Sequence, residues 1–395
     1  MGLFSSDYSY LGINLGTSSV KLVELGNNNG VPHLLTYGFT EQSIDIIKDD
    51  SESAKQEIVR ILNQLCKEAK VSSNKVVTAL PTFSVFSSVI SMPKMSKKDL
   101  SSAVLWEAKK IIPMPFEDII LDWYILNEDS SSQKSKFRNL FNKIKKEKPK
   151  AKEGNIDEKN TKNSLLNSNQ GENKGDEDIK VLLTGAPKNL VTKYIDIFQR
   201  ADLNLLSLET EIFALVRALV GNDKSTLIIV DIGAMSTNIS LVKNGSVVIN
   251  RSIELGGKNV TSEISQNLNV AFKRAEQFKF DIGINAEGQA DSSIFKSIEN
   301  TISPIVDEIK YTIDFFKNQL NFGQSESDVV EKIILTGGSS SLSYLSEYLA
   351  KQLNKKVYIG DPMARIVYPE DLKPIIDDVG SKLSVAVGLA MREIE

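Results

Sequence analysis

Two turns rich in glycine and hydroxyl residues hold the side chains of this chain that are best suited to chemistry. In the first, the stretch YLGINLGTSSVKLVEL (residues 10–25) predicts a strand, a turn and a second strand. Its turn residues are Gly16, Thr17, Ser18 and Ser19. With Lys21 just beyond them, these backbone amides and hydroxyls could hold a phosphate. Asn14 lies on the first strand, where a carboxylate linked to a metal ion would be useful.

A second stretch, LIIVDIGAMSTNISLV (residues 227–242), repeats the order of strand, turn and strand. Either hairpin alone is a weak signal, because a glycine turn is a common way to reverse a sheet. Two facing hairpins could offer amides and hydroxyls to opposite sides of one triphosphate. The repetition also indicates that the chain contains two related halves.

A third motif, EKIILTGGSSSLSYLSEYLAKQL (residues 331–353), predicts a strand, a Gly-Gly turn and an amphipathic helix. Gly337 and Gly338 would let the backbone lie flat against a planar or sugar group. We expect Ser339 and Ser341 to cap the helix. A simple strand-to-helix turn explains this motif equally well in isolation, but the three motifs in this order favour a nucleotide-binding cleft.

Length and composition set the broad class. The 395 residues are too many for one core, and 41% hydrophobic residues with a net charge of -4 predict a soluble globular protein without a drive toward nucleic acid. Cys66 and His33 are the only residues of their types, which excludes intramolecular disulfides, Cys/His zinc sites and a histidine-based catalytic triad. Without a charged leader before an apolar run, we expect a cytoplasmic location.

Residues 84–187 interrupt the alternation of strands and helices and predict an inserted subdomain. Within it, residues 129–178 are rich in Ser, Asn, Lys and Glu and predict a disordered insertion. The basic first part, SQKSKFRNLFNKIKKEKPKAK, is alternatively a hook for anionic lipid or a partner.

Together these motifs resemble those of the actin-like ATPase superfamily, and within it the PilM family of type IV pilus assembly proteins, which is related to FtsA. The resemblance covers nearly the whole chain outside the insertion. The segment SMPKMSKKDLSSAVLWEAKKIIPMPFEDIILDWYIL favours PilM over other branches. It implies an α/β fold with two related halves, a nucleotide cleft and an inserted subdomain 1C. The implied divisions are 1–83, 188–225 and 376–395 for subdomain 1A, 84–187 for 1C, 226–257 and 331–375 for 2A, and 258–330 for 2B.

The resemblance also implies roles for individual residues. Those expected at the phosphates, besides the first turn and Lys21, are Asp231, Gly233, Ser236 and Thr237. Those expected near the rest of the nucleotide are Gly256, Gly257, Glu276, Lys279, Gly337, Gly338 and Ser339. Glu276 and Lys279 lie three residues apart on one helical face, so a solvated ion pair is the alternative reading. Asn14 and Asp231 would hold Mg²⁺ through water, and Asp231 is the candidate catalytic residue.

Relatives usually have Asp where this chain has Asn14, which removes a negative charge beside the metal. We therefore expect the cleft to bind ATP while little hydrolysis is required of it, so that hydrolysis is slow or absent. The alternative is that Asn14 is a neutral substitution and slow hydrolysis persists.

The implied partner is the cytoplasmic N-terminal peptide of a PilN-like membrane protein, with other pilus components and possible homo-oligomers. The alternatives are an FtsA-like polymerising division protein and a small-molecule kinase. FtsA anchors to the membrane through an amphipathic C-terminal helix, and we expect no such helix after the final segment GLAMREIE.

Overall fold

The structure, a computed structural model, describes residues 9–41, 49–126, 179–284, 293–319 and 329–394. The predicted insertion 129–178, with its alternative reading as a basic hook, lies outside these residues. Within them, the strands are β1 Ser9–Leu15, β2 Val20–Asn28, β3 Val31–Thr40, β4 Lys75–Leu80, β5 Phe86–Met92, β6 Ile119–Ile125, β7 Ile179–Pro187, β8 Asn204–Thr210, β9 Leu227–Ile232, β10 Thr237–Lys243, β11 Ser246–Ile253, β12 Lys332–Thr336 and β13 Lys356–Ile359. The helices are α1 Glu52–Glu68, α2 Lys97–Ile111, α3 Lys188–Arg200, α4 Glu211–Leu219, α5 Gly257–Leu268, α6 Phe272–Ile282, α7 Ser293–Gln319, α8 Leu345–Leu353 and α9 Lys373–Met391.

Two five-stranded sheets have the same topology. The first has the order β3-β2-β1-β4-β8 and the second the order β11-β10-β9-β12-β13. In both, the two hairpin connections are antiparallel and the two later strands are added in parallel. The predicted repetition of two halves is therefore present in the backbone. It brings the turns after β1 and β9 to equivalent places in the two sheets.

Helices cover both sheets, and apolar side chains at helical spacing explain where each one packs. Helix α1, for example, begins after Ser51, whose hydroxyl accepts from the Ala54 amide, and buries Ile58, Ile61 and Leu65 under the first sheet. Helices α5, α6, α7 and α8 surround the core of the second sheet. Helices α4 and α9 share a core with strands of both sheets, so they join the two halves.

Helix α9 lies unusually close to strand β1. A Cβ placed on Gly12 would come within 1.9 Å of the Ala386 carbonyl oxygen and 2.5 Å of the Ala390 nitrogen. Only glycine fits this contact between two backbones. The contact fixes the height of α9 along β1, and this height determines which α9 side chains reach the end of the strand.

A third sheet, with the order β5-β7-β6, is formed by residues of the predicted inserted subdomain. Helix α2 packs on it through a core that includes Leu100, Val104 and Ala108. Ser96 caps this helix by accepting from the Asp99 amide, and the helix ends at Ile111 before Pro113. On its other side, Trp106 leaves 64% of its surface exposed.

The predicted cap of α8 is wrong. The helix begins at Leu345 after Tyr344, whose positive φ of 65° reverses the chain and whose side chain makes no capping bond. The Ser341 hydroxyl instead lies 3.5 Å from the Gly338 carbonyl, and the chain from Ser339 to Ser343 forms tight turns before the helix. The buried Leu342 and Leu345 make this turn compact, so the helix starts later than its serines suggest.

Among the described residues, no helix combines the length and the apolar character that crossing a membrane requires.

Candidate nucleotide-binding site

A cleft that opens to solvent lies where the turns after β1, β9 and β12 meet. The structure brings eleven of the predicted site residues to its wall: Asn14, Gly16, Thr17, Ser18, Ser19, Lys21, Asp231, Gly233, Ser236, Gly337 and Gly338. These residues come from both halves of the chain, so the two hairpins face one another as expected.

The two hairpin turns have the same backbone hydrogen bond. The Gly16 amide donates to Ser19 O at 3.0 Å, and the Gly233 amide donates to Ser236 O at 2.9 Å. A Cβ on either glycine would stand 3.0 Å from the oxygen that its own amide contacts. Glycine therefore permits the tight turn in both hairpins, and each turn presents a short run of amides and small side chains to the cleft.

The third turn lies directly against Asp231. Gly337 has a φ of +89°, and a Cβ there would come within 2.4 Å of Asp231 Oδ1. Gly338 has no atom within 4 Å of its ideal Cβ position, so it opens onto free space. Gly337 is thus needed for the backbone, whereas Gly338 leaves room for a flat ligand above it.

Asn14 has a buried oxygen without a protein partner. Its side chain is 5% exposed, and Oδ1 accepts no hydrogen bond from the residues that the structure describes. A buried polar atom left without a partner usually costs about 1–3 kcal/mol. An atom of this kind on the cleft wall is suited to a ligand or its bound water.

Lys21 lies among carboxylates at the base of the cleft. Burial lowers the pKa of Lys21, while the nearby charges of Asp231 and Glu211 raise it. Burial raises the pKa of Asp231, opposed by Lys21 and by a hydrogen bond from Asn238. The ammonium group therefore offsets carboxylate charge that would otherwise repel a phosphate.

Glu211 also lines the cleft, although no sequence motif indicates it. It begins α4 and is 8% exposed, and its Oε2 accepts from the Thr82 amide at 3.1 Å and the Thr82 hydroxyl at 3.3 Å. Burial, with a further contribution from Asp231, raises the pKa of Glu211 to about 7. A carboxyl group that titrates near neutral pH inside a polar cleft is typical of functional sites.

Other cleft residues also went unpredicted: Pro81, Phe83, Ala234, Asn238, Thr336, Ser381, Lys382, Ser384 and Val385. The serines and Lys382 belong to α9, far along the chain from either hairpin. Ala234 and Asn238 lie within the second predicted hairpin, and Thr336 lies directly before the predicted Gly337.

Six predicted residues do not line the cleft: Thr237, Gly256, Gly257, Glu276, Lys279 and Ser339. Thr237 is fully buried and donates to the Leu255 carbonyl at 2.7 Å. Gly256 packs against the second hairpin turn, with its ideal Cβ 2.6 Å from the Gly233 oxygen. Thr237 and Gly256 therefore support the second hairpin turn without lining the cleft.

The other four form a neighbouring group at the start of α5. Lys279 Nζ donates to Glu276 Oε1 at 2.7 Å, to Thr261 Oγ1 at 3.1 Å and to the Gly257 carbonyl at 3.3 Å. A Cβ on Gly257 would stand 2.2 Å from the Ser339 hydroxyl oxygen. The ammonium group already has an acceptor for each of its three hydrogens, while Glu276 keeps 40% of its side chain exposed.

The cleft fits a nucleotide better than a tightly bound metal ion. The orphaned Asn14 oxygen and the space above Gly338 suit a phosphate-bearing ligand with a flat group. No group of three or more acidic, histidine or cysteine side chains placed to hold a metal occurs in the described ranges. Mg²⁺ with most of its waters, reached by Asn14 and Asp231, is compatible with this donor set because Mg²⁺ binds proteins through few direct ligands.

Replacement of Glu211 by glutamine should stabilise the protein at pH 8 and change little at pH 5. With a folded pKa of about 7 against an ordinary value of 4.5, folding favours the protonated carboxyl. This contribution is complete below pH 4.5 and is lost as the pH rises through 7. The ionised group then costs on the order of 3 kcal/mol, which glutamine avoids while its oxygen still accepts from Thr82.

Urea unfolding of Glu211→Gln at both pH values measures this effect. Replacement of the exposed Glu117 by glutamine is the matched control and should change the free energy of unfolding little at either pH. Equal shifts for the two variants at pH 8 would contradict the assignment.

The sequence model of the family described as type IV pilus assembly protein PilM matches residues 12–170 and 155–394. Among solved structures, a PilM-PilN type IV pilus biogenesis complex aligns with a TM-score of 0.74 at 23% identity and covers 98% of both chains. The ethanolamine utilization protein EutJ from Carboxydothermus hydrogenoformans aligns with a TM-score of 0.52 at 15% identity, covering 97% of this chain and 89% of that one. The expected actin-like ATPase fold is confirmed.

Curated relatives match only part of the chain. FtsA from Rhizobium meliloti (strain 1021) is 27% identical over 176 residues, and FtsA from Bacillus subtilis (strain 168) is 24% identical over 199 residues. The first match covers 40% of this chain and 38% of that protein, and the second covers 46% and 44%. The chain therefore spans less than half the length of these division proteins.

Proposed function

Because this chain belongs to the PilM family of type IV pilus assembly proteins, we propose that it is an ATP-loaded scaffold on the cytoplasmic side of the inner membrane. In this role it docks the N-terminal peptide of a PilN-like membrane protein and so meets the membrane through its partner. The single observation that carries the nucleotide part is the cleft in which two equivalent turns face each other around Lys21. The four-subdomain division predicted from the resemblance remains part of this proposal.

ATP would bind with its phosphates between the two hairpins. Gly16 to Ser19, with Lys21, would contact them from one half, and Gly233 and Ser236 from the other. Gly337 and Gly338 would lie against the nucleoside, with Glu276 and Ser339 beyond them. Asn14 and Asp231 would meet Mg²⁺ through water. Bound Mg²⁺ supplies positive charge to the phosphate oxygens.

Binding without fast turnover is the function that this cleft supports best. Asn14 offers an oxygen but no charge, so the metal's waters would be held less firmly than by a carboxylate. The positive charge of Lys21 already offsets the negative charge of Asp231 before any ligand binds. ATP would then act by adding its binding free energy to the closed arrangement of the two halves.

Slow hydrolysis is a second candidate, and Glu211 favours it. Its pKa of about 7 suits a general base, which works best near the pH of its surroundings. Glu211 and Asp231 would then orient an attacking water. Phosphate release separates this candidate from a purely structural role for ATP.

The proposed peptide-docking surface is the exposed side of α2, on the third sheet. Trp106 and Leu105 leave 64% and 41% of their surfaces exposed, and the Lys110 ammonium lies 3.3 Å from the centre of the Trp106 ring. Exposed tryptophan is strongly enriched among residues that dominate binding at interfaces. The connection at Thr82 and Phe83 leads from the cleft to this unit, because Thr82 donates to Glu211 just before β5 begins.

Trp106→Ala should weaken binding of the cognate PilN-like N-terminal peptide about 30-fold or more, because it removes the largest exposed apolar group of the surface. Isothermal titration of the peptide in the presence of Mg-ATP measures the change. Phe272→Ala is the matched control, since Phe272 is 46% exposed on α6 and away from the third sheet. Equal affinities for the two variants would place the docking surface elsewhere.

A further inference from the structure

We propose that Lys382 neutralises phosphate charge in the cleft, so that this chain binds its nucleotide without needing a divalent cation. The inference rests on the nucleotide binding proposed above and concerns how that same site holds its ligand. Lys382 lies on α9, so this helix would take part directly in nucleotide binding, a role that neither hairpin motif indicates.

Three hydrogen-bonded contacts fix the turn of α9 that carries Lys382. The Gly337 amide donates to the Ser381 carbonyl at 3.2 Å. The Thr336 hydroxyl donates to the same carbonyl at 3.2 Å and contacts the Ser384 hydroxyl at 2.8 Å. These bonds hold the residues on either side of Lys382 against the end of β12, where the third cleft turn begins.

The contact of α9 with β1 places Lys382 near the height of Asn14. Gly12 lies against Ala386, and both Asn14 and Lys382 line the cleft. Four residues of helix span about 6 Å, and two residues of strand span about 7 Å. The distance along the helix from Ala386 to Lys382 is therefore similar to the distance along the strand from Gly12 to Asn14. Both residues thus lie at the same cleft.

The Lys382 side chain is available to a ligand. Within the part of the chain that the structure describes, its ammonium makes neither a hydrogen bond nor an ion pair, whereas Lys279 is fully used by protein acceptors. Its positive charge is close enough to Lys21 to contribute to the lowered pKa of that residue, behind the larger effect of burial. Asp231 and Glu211 offset the charge of Lys21, whereas no carboxylate of the described residues pairs with Lys382, so the charge of Lys382 remains available to an anionic ligand.

Asn14 and Lys382 both make the charge of the cleft wall more positive. An amide at position 14 removes a negative charge from the cleft wall, and an ammonium at position 382 adds a positive one at a similar height. Lysine is an established point-charge partner of phosphate, and a hydrogen bond to a charged group is stronger than a neutral one. Lys382 thus supplies near the phosphates the kind of charge that a metal ion would otherwise bring.

The test is isothermal titration with ATP, once in excess Mg²⁺ and once in EDTA, on the full chain and three variants. For the unmodified chain we expect the Kd to change less than about threefold when the metal is removed. Lys382→Met should weaken binding in EDTA by about 10–100-fold, the range for loss of one charge-assisted contact, and recover part of it in Mg²⁺. Lys382→Arg should keep metal-free binding.

Lys373→Met is the matched control, because Lys373 lies exposed on the same helix and does not line the cleft. It should bind ATP like the unmodified chain in both conditions. Binding in Mg²⁺ that disappears in EDTA for the unmodified chain would overturn the inference and leave the proposed nucleotide function standing. Equal metal-free affinity for Lys382→Met and Lys373→Met would do the same, whereas no ATP binding in either condition would overturn both.

Discussion

Lys21→Met is expected to lower the affinity for ATP about 100-fold or more. The substitution removes an ammonium from the turn that would hold the phosphates, and it also leaves Asp231 and Glu211 without the positive charge that offsets them. The second effect adds repulsion toward an anionic ligand, so the total should exceed the loss of one charge-assisted hydrogen bond. Titration with Mg-ATP measures the affinity, and a thermal melt verifies folding.

Lys75→Met is the control for the loss of one lysine from the same sheet. Lys75 begins β4, whose parallel pairing with β1 places it at the edge opposite the hairpin turn, with its ammonium 5.8 Å from the centre of the Tyr10 ring. This variant should bind ATP normally. If Lys21→Met did so too, the first hairpin would not be a phosphate-binding element.

Gly12→Ala is expected to lower the free energy of unfolding by about 3 kcal/mol or more. The added methyl would stand 1.9 Å from one backbone atom of α9 and 2.5 Å from another, and backbone atoms cannot move aside as a flexible side chain can. Overpacking usually costs about 1–3 kcal/mol, and this contact lies at the severe end. Because α9 would have to shift away from β1, ATP affinity should fall as well.

Gly26→Ala on the neighbouring strand β2 separates this clash from a general cost of alanine. Its ideal Cβ meets only side-chain atoms of Leu35 at 3.4 Å or more. Urea unfolding should show a small change for this variant. Equal midpoints for Gly12→Ala and Gly26→Ala would contradict the close packing of α9 on β1.

The hairpins and the repetition of two halves were predictable because their signals are local. A glycine turn between two short apolar runs specifies its own backbone, as the matching bonds at Gly16 and Gly233 show. The helix N-terminus at Ser96 was predictable for the same reason, since a cap depends on residues three apart. The resemblance of the three motifs to actin-like ATPases then indicated how they assemble.

Glu211 and Lys382 were not predictable from pattern alone. Glu211 had the ordinary sequence environment of an acidic residue in a first helical turn, and its partner Thr82 is 129 positions away. Lys382 lies on α9, whose position depends on the close contact of Gly12 with Ala386, and no local sequence pattern shows such a contact. The serines after Gly338 have the sequence pattern of a helix cap, but they do not form one. The buried Leu342 and the positive φ of Tyr344 delay the start of α8.

The measurement with the greatest value is calorimetric titration of the full chain with the N-terminal peptide of its cognate PilN-like protein, with and without Mg-ATP, alongside an assay of phosphate release. An ATP-loaded scaffold should bind the peptide saturably, bind it more tightly with ATP present, and release little phosphate. Steady phosphate release without any peptide binding would contradict the scaffold function and point to an enzyme acting on a small molecule.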